Sequence, residues 1–580
     1  MIALKPSILI KFALVINLLL LCLLIYNNTP WSSRVLQQRH EESLPFNNFT
    51  DPALAYEILT QLDIPKPYDN GWDPLKAAKK YQAAFLGLTS DYKYCEKHRT
   101  HYVNNPEYIF SEINFMTSWL NMIRLDVLRV IGNDIMPMTS SYAPPVPPTS
   151  PMAIDISPEV NLIVTWSQMY SRRQIQTQYG CLAQMTDHVP GLESIKAKGN
   201  LTESLYKYEE NYKTRPQCFD SSKFFPKTYS LTKPEQCKEF FEIFNGEEYQ
   251  NLKAEKKIVY FRKIGAIAHA ATGVFPVDEK EENKIRERYQ NGSLCGKIKD
   301  NNLMQSYIHN PLLLNGRKFD FRIFMLIASV NPLIVYYHDG LLRVSLSDYN
   351  PNNSSRVSWM PNANENDRII DIAHMNGEHE GKTASQIKEE YMWSLERLRD
   401  YLMENGYIND PDWLDNYLRP KFKKAMVHLM RMAGDDFLKI SSVYELHGLD
   451  FILDEDLNLW FIETNPGPAI EEATPHSREL FKKMFLSQYE IVIGLLRSRM
   501  KRVNQYVNNI IKRKEADWDE DGKIVVIKDL KEKLKEFEEI TRNYFEPEFG
   551  PSKENSFEKI IDENEGGIKR YTGLIAEECL

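Results

Sequence analysis

The chain has 580 residues, of which 43% are hydrophobic and 26% are charged, which is ordinary for a globular protein of about two to four domains. Its formal net charge of −9 argues against nucleic acid as a partner, because nucleic acid attracts basic surfaces. The seven cysteines include no C-x-x-C pair, which argues against a zinc site or a thioredoxin-type motif and leaves disulfides open.

An apolar run occupies residues 12–26 and is preceded by Lys5 and Lys11. Its length is that of a signal-peptide core and is short for a full bilayer span. Because no small-x-small cleavage site follows, the run favours an uncleaved signal anchor over a cleaved signal peptide, with a buried soluble helix as the third alternative. We therefore expect a single-pass membrane protein with residues 1–45 as its anchor and stem. Basic residues on both sides of the run leave a cytoplasmic or cilium-associated placement and a lumenal one equally open.

The next segments suggest two further regions before the main domain. Residues 46–136 carry apolar side chains at three- and four-residue spacing, as in residues 113–130, and this pattern predicts helices. Residues 137–151 are rich in proline and serine and predict an extended linker, and hence a domain boundary. We expect the main domain at residues 152–500, followed by a charged helical tail at residues 501–580.

Charged side chains alternate along a strand predicted for residues 319–328. Lys318, Asp320 and Arg322 share one face at its beginning, and the hairpin predicted for residues 331–345 adds Arg343. Charges on a core strand are costly unless they meet a ligand, so these residues are candidates for a binding site. An ion pair with a purely structural role is the alternative.

An acidic hairpin is predicted near residue 450. Its strands span residues 449–453 and 457–462 and are joined by an acidic turn. Because side chains alternate along strands, Asp450 can converge with Glu463 and Asn465. Two carboxylates and an amide oxygen suit Mg²⁺, which takes further ligands from nucleotide phosphates. A surface hairpin with solvated acidic side chains is the alternative.

The sequence resembles the tubulin-tyrosine-ligase-like enzymes. The resemblance is closest at residues 304–328 and 448–465, and weaker matches at residues 187–195 and 224–229 occur in the family's order. It implies an α+β protein whose residues 152–500 form an ATP-grasp fold, with antiparallel sheets and flanking helices.

The resemblance also implies a role for individual residues. Asp450, Glu463 and Asn465 would hold magnesium ions on ATP, with Glu463 also counted as catalytic. Arg322 and Arg343 would handle an acyl-phosphate or the carboxylate of the incoming amino acid. An edge strand would present backbone groups to adenine. The residues expected to bind ATP are Lys263, Gln305, Tyr307, Ile308, Lys318 and Asp320.

The implied reaction is ligation of a free amino acid to a protein acceptor such as tubulin, dependent on ATP and Mg²⁺. Two departures from the family pattern support another interpretation: the loop at residues 263–273 lacks a proline and a glycine, and Ala373 and His374 replace threonine and asparagine. A membrane-tethered pseudoenzyme that keeps the fold as a binding module is therefore the alternative function. The apolar run and several N-x-S/T sequons leave a lumenal transferase as a third hypothesis.

Overall fold

The structure is a computed structural model, and it describes most of the chain beyond residue 191. The described residues are 113–116, 160–163, 185–187, 189, 192–255, 258–264, 273–297, 302–345, 347–350, 382–434, 443–468, 470, 474–518, 525–527, 536, 539–540 and 542–580.

Sixteen strands and nine α-helices lie in these residues. The strands are β1 (Ile113–Met116), β2 (Val160–Ile163), β3 (Met185–Asp187), β4 (Thr228–Ser230), β5 (Tyr260–Ile264), β6 (Val274–Pro276), β7 (Asn302–Ser306), β8 (Leu313–Leu314), β9 (Arg317–Val330), β10 (Leu333–Val344), β11 (Met392–Trp393), β12 (Val443–Leu453), β13 (Leu459–Pro466), β14 (Ala516–Trp518), β15 (Val525–Ile527) and β16 (Glu558–Asp562). The helices are α1 (Glu193–Lys196), α2 (Lys198–Glu210), α3 (Pro234–Phe244), α4 (Glu247–Glu255), α5 (Glu279–Gln290), α6 (Ala384–Tyr391), α7 (Leu395–Glu404), α8 (Arg419–Ala433) and α9 (Pro475–Lys512).

The main sheet has ten strands. Its path runs β1-β2-β3-β12-β9-β10-β11, and β13, β16 and β8 pair with β12, β10 and β9. The pairs of β12 with β9 and β13, and of β9 with β10, are antiparallel, whereas β1, β2, β3 and β12 run parallel. The prediction of antiparallel sheets with flanking helices therefore holds for the centre of the molecule, and one edge of the sheet is parallel.

Local chemistry fixes the register of the long strand β9. Asn315 and Gly316 both have positive φ, 51° and 78°, as a tight hairpin turn between β8 and β9 requires. Phe321 and Phe324 then point to opposite faces of the sheet because side chains alternate along a strand. Phe321 packs against Phe422 of α8 at 5.2 Å between ring centroids, and Phe324 packs against Phe481 of α9 at 5.9 Å. Helices thus cover both faces.

A second sheet forms a smaller unit. Its strand order is β4-β7-β5-β6, with antiparallel pairing throughout. Aromatic residues of α3, including Phe240 and Phe244, form a buried cluster with Tyr229, Tyr260 and Met304 of this sheet. The predicted succession of strand, loop and strand near residue 260 corresponds to β5 and β6.

Among the residues that the structure describes, two disulfides connect distant parts of the chain. Cys237 at α3 is bonded to Cys295, and Cys218 is bonded to Cys579, the penultimate residue. The sequence left these bonds open. Arg431 of α8 donates to the backbone oxygen of Cys579 at 2.9 Å, so the end of the chain is held by a polar contact as well.

The last eighty residues differ from the predicted charged helical tail. The helix α9 continues across the predicted boundary at residue 500, and β16 pairs antiparallel with β10 in the main sheet. Ile560 and Ile561 of β16 are fully buried, which explains why this strand joins the core.

The N-terminal predictions need correction. The membrane localisation is wrong: among the described residues, no helix has both the length and the apolar character that a membrane crossing requires. The apolar run at residues 12–26, from which the anchor was predicted, lies outside those residues, as do the linker and most of residues 46–136. Within the latter region residues 113–116, predicted to be helical, form strand β1, which pairs parallel with β2.

Candidate active site

Four neighbouring strands bring the predicted site residues together. Asp450 on β12 lies opposite Arg322 on β9 and opposite Glu463 on β13. Arg343 on β10 lies opposite Asp320 on β9. Because directly opposed residues on antiparallel strands share a face, this register collects the charges in one place.

Arg322, Arg343 and the two aspartates form a buried ion-pair network. Arg322 donates to both carboxylate oxygens of Asp450, from Nε at 2.6 Å and from Nη2 at 3.1 Å. Arg343 likewise donates to both carboxylate oxygens of Asp320, from Nε and from Nη2, each at 2.7 Å. Its Nη2 also lies 3.3 Å from Asp450 Oδ2. The planar guanidinium suits such paired contacts, so each arginine holds its carboxylate in a fixed orientation.

Asp450 is the centre of this network. Burial alone would raise the pKa of its carboxyl group, but Arg322 and Arg343 outweigh burial and lower it below its ordinary value. The Nδ2 atom of Asn465 donates to Asp450 Oδ2 at 3.2 Å, which brings the third predicted metal ligand into contact with the first. Asp450 is therefore an ionised oxygen donor at neutral pH.

Gly448 gives Arg322 the space it occupies. A Cβ atom on this glycine would lie 2.8 Å from Arg322 Cδ and 2.8 Å from Pro468 Cβ, closer than such atoms approach. Gly448 and Asn465 are opposed on β12 and β13, so the close approach occurs within the site itself. The glycine thus lets the arginine reach the carboxylate.

Lysines line the other side of the site. Lys263 on β5 and Lys318 on β9 are only 8% and 3% exposed. Burial lowers the pKa of each lysine to about 8. The negative charge of Glu463 partly raises the pKa of Lys263 again, and that of Asp320 does the same for Lys318. Two buried ammonium groups whose charge is costly are suited to bind an anion.

Lys198 is a site residue that sequence reasoning missed. Its Nζ lies 3.2 Å from Oε2 of Glu463, and its charge helps to lower the pKa of Lys263. Lys198 is the first residue of α2, whose first turn contains no acidic residue. A lysine is unfavourable at the positive end of a helix dipole, and that conflict was the available signal.

The segment expected to bind adenine, residues 305–308, does not lie on an edge strand as predicted. Strand β7 lies between β4 and β5 and is therefore not an edge strand. Gln305 directs its side chain to Thr228, with Nε2 donating to Oγ1 at 2.9 Å, so this side chain supports the small sheet. Tyr307 and Ile308 follow the strand, and the ring of Tyr307 lies 4.9 Å from Lys318 Nζ. Tyr307 is thus beside the site, and Ile308 lines a cavity of about 770 Å³ on the side of β4.

The predicted metal ligands lie on two paired strands, Asp450 on β12 and both Glu463 and Asn465 on β13. Within the described part of the chain, no three His, Cys, Asp or Glu side chains lie together as a metal site. Asp450, Glu463 and Asn465 offer two carboxylates and one amide, which are hard oxygen ligands of the kind that Mg²⁺ prefers. Such a set fits an ion that completes its shell with phosphate oxygens and water.

Comparisons with known proteins bear on this site. The family model described as "Tubulin-tyrosine ligase family" matches residues 173–499, more than half of the chain. The chain is similar to "Protein polyglycylase TTLL10" of Mus musculus, with 24% identity over 320 residues that cover 52% of this chain and 40% of the relative. It is also similar to "Inactive polyglycylase TTLL10" of Homo sapiens, with 23% identity, 50% of this chain and 41% of the relative covered.

A third relative carries a different activity in its name. "Tubulin monoglutamylase TTLL4" of Homo sapiens is 28% identical over 185 residues, which cover 30% of this chain and 14% of the relative. The chain thus spans about two fifths of the length of the polyglycylase relatives and less of this one.

Proposed function

Since the chain belongs to the tubulin-tyrosine ligase family, we propose that it is an ATP-dependent ligase that joins a free amino acid to a protein. The observation that carries the proposal is the register of β10, β9, β12 and β13, which gathers Asp320, Arg322, Arg343, Asp450 and Glu463 on one face. A site that combines oxygen ligands, arginine forks and buried lysines is equipped for phosphoryl transfer.

The proposed reaction has two steps. A carboxylate oxygen attacks the γ-phosphorus of ATP, the bond from that phosphorus to the bridging oxygen breaks, and ADP leaves with the formation of an acyl-phosphate. An amino group then attacks the acyl carbon, loses a proton, and displaces inorganic phosphate to give an amide or isopeptide bond. No side chain of this chain needs to act as a nucleophile, so its task is positioning and charge stabilisation.

The side chains divide this task by position. Lys263 and Lys318 would neutralise the phosphates of ATP, since their buried ammonium groups gain from a nearby anion. Each arginine uses its Nε and Nη2 on an aspartate, so Arg322 and Arg343 would orient the carboxylate or the acyl-phosphate with their remaining N–H groups. Asp320 would act through Arg343, which it holds by two hydrogen bonds.

Asp450, Glu463 and Asn465 would hold Mg²⁺ when ATP is bound. The ion would supply positive charge to the oxygens of the transferred phosphoryl group. The chain's own contribution is to keep Asp450 ionised beside Asn465, as its lowered pKa and the 3.2 Å contact between them support.

The names of the relatives support a choice of substrates. They include a polyglycylase and a tubulin monoglutamylase, so glycine or glutamate is the proposed amino acid and tubulin the proposed acceptor. Ala373 and His374, which replace residues expected to line the site, lie outside the described residues.

The decisive test is Mg²⁺-dependent binding of ATP to the full chain, measured by calorimetry. We expect Glu463→Gln to weaken this binding by about tenfold or more, because a carboxylate ligand of the ion becomes a neutral amide. The matched control is Glu242→Gln, which removes a carboxylate from an exposed ion pair with Lys238 and should leave binding unchanged. ATP binding that is absent from the unaltered chain, or equal in Glu463→Gln, would refute the proposal.

A binding module without turnover is the second candidate function. It is favoured by one observation, that a similar human protein is named an inactive polyglycylase. Release of ADP in the presence of Mg²⁺, tubulin and each amino acid separates the two candidates. Binding of ATP without amino-acid-dependent ADP release would favour the module.

A further inference from the structure

Tyr349 lies beside the site although no sequence motif pointed to it. It belongs to the segment that follows β10, and this segment runs along the beginning of β9. Ser345 donates its backbone N–H to the carbonyl oxygen of Lys318 at 2.8 Å, and Tyr349 donates to that of Gly316 at 2.9 Å. The backbone of Tyr349 is thereby fixed next to Lys318.

The side chain of Tyr349 joins a second ring. Its hydroxyl lies 2.8 Å from the hydroxyl of Tyr307, and the two groups share a hydrogen bond. Lys318 Nζ is 4.9 Å from the ring centroid of Tyr307 and 6.0 Å from that of Tyr349. Tyr307 is itself held by Phe261, 5.0 Å away, and by His309, 5.4 Å away. Two rings of fixed position therefore border the ammonium group.

We propose that Tyr349 is a positioning residue of the nucleotide site: through its bond to Tyr307 and its own ring, it holds the Lys318 ammonium where the phosphates bind. The inference rests on the proposed function and adds a residue to it. A lysine side chain has several rotatable bonds and loses conformational entropy when it is ordered. If the side chain is already held in place, this loss does not weaken the binding of the anion. The rings also keep water from the ammonium, which strengthens its attraction for a phosphate.

The charges around Lys318 make this role measurable. Lys263 faces it from β5, Asp320 neighbours it on β9, and Tyr307 and Tyr349 are neutral at neutral pH because burial raises the pKa of both hydroxyls. Burial lowers the pKa of Lys318 to about 8, so the ammonium loses its charge as the pH rises through about 8. Removing the Tyr349 ring admits water and should move this titration toward the ordinary lysine value.

The first experiment is pH-dependent acylation of Lys318 with acetic anhydride, followed by peptide mass spectrometry of the full chain. Only the uncharged amine reacts, so the pH profile reports the titration of this residue without any ligand. We expect the midpoint to rise by about one pH unit in Tyr349→Ala, because the ring no longer excludes water. Tyr349→Phe keeps the ring but removes its hydroxyl bond to Tyr307, and should give a midpoint between those of the unaltered chain and Tyr349→Ala. Tyr407→Ala removes a tyrosine that is 47% exposed and serves as the control.

The second experiment is calorimetric titration of the same proteins with Mg²⁺-ATP between pH 7 and pH 9.5. Tyr349→Ala should bind about fivefold to tenfold more weakly at pH 7, and Tyr349→Phe should recover part of the loss, because it keeps the ring without the hydroxyl bond. The alkaline decline of binding should also shift upward in Tyr349→Ala alone. A uniform loss at every pH would indicate general damage to the fold and would overturn the inference.

The two experiments distinguish the inference from the proposed function. An acylation midpoint that is the same in Tyr349→Ala as in the unaltered chain overturns the inference, whatever the ATP titration gives. Unaltered protein that binds ATP, together with a Tyr349→Ala variant that binds it equally well, also overturns the inference alone. Unaltered protein that binds no Mg²⁺-ATP at any pH overturns the proposed function and the inference with it.

Discussion

A buried carboxylate remains ionised only when its oxygens are well supplied with donors. Asp450 meets this condition with two bonds from Arg322, one contact with Arg343 and one bond from Asn465. Removing one partner from such a network leaves the others buried and incompletely paired, which costs more than the loss of a surface ion pair.

Arg322→Lys tests this argument while keeping the charge. A lysine offers no planar fork, so Asp450 loses at least one of two hydrogen bonds, and we expect about 1–3 kcal/mol less stability toward urea. The matched control is Arg399→Lys, which alters a partly exposed pair with Asp400 and should change stability by less than about 0.5 kcal/mol. Equal losses of stability in the two variants would show that the buried network stabilises the fold no more than an exposed ion pair does.

Site residues could be predicted from the sequence where they follow one another along a single strand. Lys318, Asp320 and Arg322 alternate on one strand, so their common face follows from the period of two. Lys198 and Tyr349 were missed because their partners, Glu463 and Tyr307, lie far away in the sequence. No periodicity marks a contact that only the fold creates.

At the scale of elements, β12 is the strand on which the site depends. It lies between β9 and β13, so it meets arginines on one side and the remaining oxygen ligands on the other. The hairpin of β12 and β13 was predictable from its apolar strands and acidic turn. Asp454 explains the turn, since its Oδ1 accepts the backbone N–H groups of Asp456 at 3.1 Å and Asn458 at 2.7 Å.

Gly448→Ala should disturb the site through β12. The new Cβ would meet Arg322 Cδ and Pro468 Cβ at 2.8 Å, so the arginine must leave its position or the strand must move. We expect affinity for Mg²⁺-ATP to fall by about tenfold, with a loss of stability of about 1–3 kcal/mol. Gly550→Ala, at a glycine with nothing within 4 Å of the new atom, is the neutral control. Unchanged affinity in Gly448→Ala would mean that Arg322 can move without consequence.

Strand neighbours were less predictable than strands. The resemblance implied that β7 is an edge strand, but β4 pairs along its other side. This partner was missed because the short stretch at residues 228–230 gives almost no strand signal. The parallel edge formed by β1, β2 and β3 was likewise unexpected, since its strands have only three or four residues each. Short strands are defined by their partners, and partners are not visible in a single sequence.

At the scale of the molecule, the C-terminal residues complete the domain that carries the site. Strand β16 joins the main sheet next to β10, and Cys579 is bonded to Cys218 near α2. Arg215 donates to the backbone oxygen of Glu578 at 2.5 Å, close to the same bond. The sequence predicted a charged helical tail for residues 501–580. It missed β16 because composition does not reveal a five-residue strand with three buried positions.

Cys579→Ala should lower the stability of the molecule in an oxidising buffer. The bond joins residues 361 positions apart, and a cross-link over a long loop restricts the unfolded chain strongly, so we expect a loss of about 2–5 kcal/mol in urea unfolding. Adding a thiol reductant should destabilise the unaltered protein more than the variant, which lacks the long cross-link and keeps the Cys237–Cys295 bond. Equal sensitivity to reductant in both proteins would show that the long cross-link does not form.

The same cross-link has a practical meaning for anyone who handles the protein. Lys263, Lys318, Asp450 and Glu463 all lie between Cys218 and Cys579, inside one covalent ring. A protease that cuts the backbone once within this ring opens it without releasing a fragment. Nicked material therefore migrates as an intact chain on a denaturing gel until it is reduced, and only a comparison of reduced and unreduced lanes reveals the break.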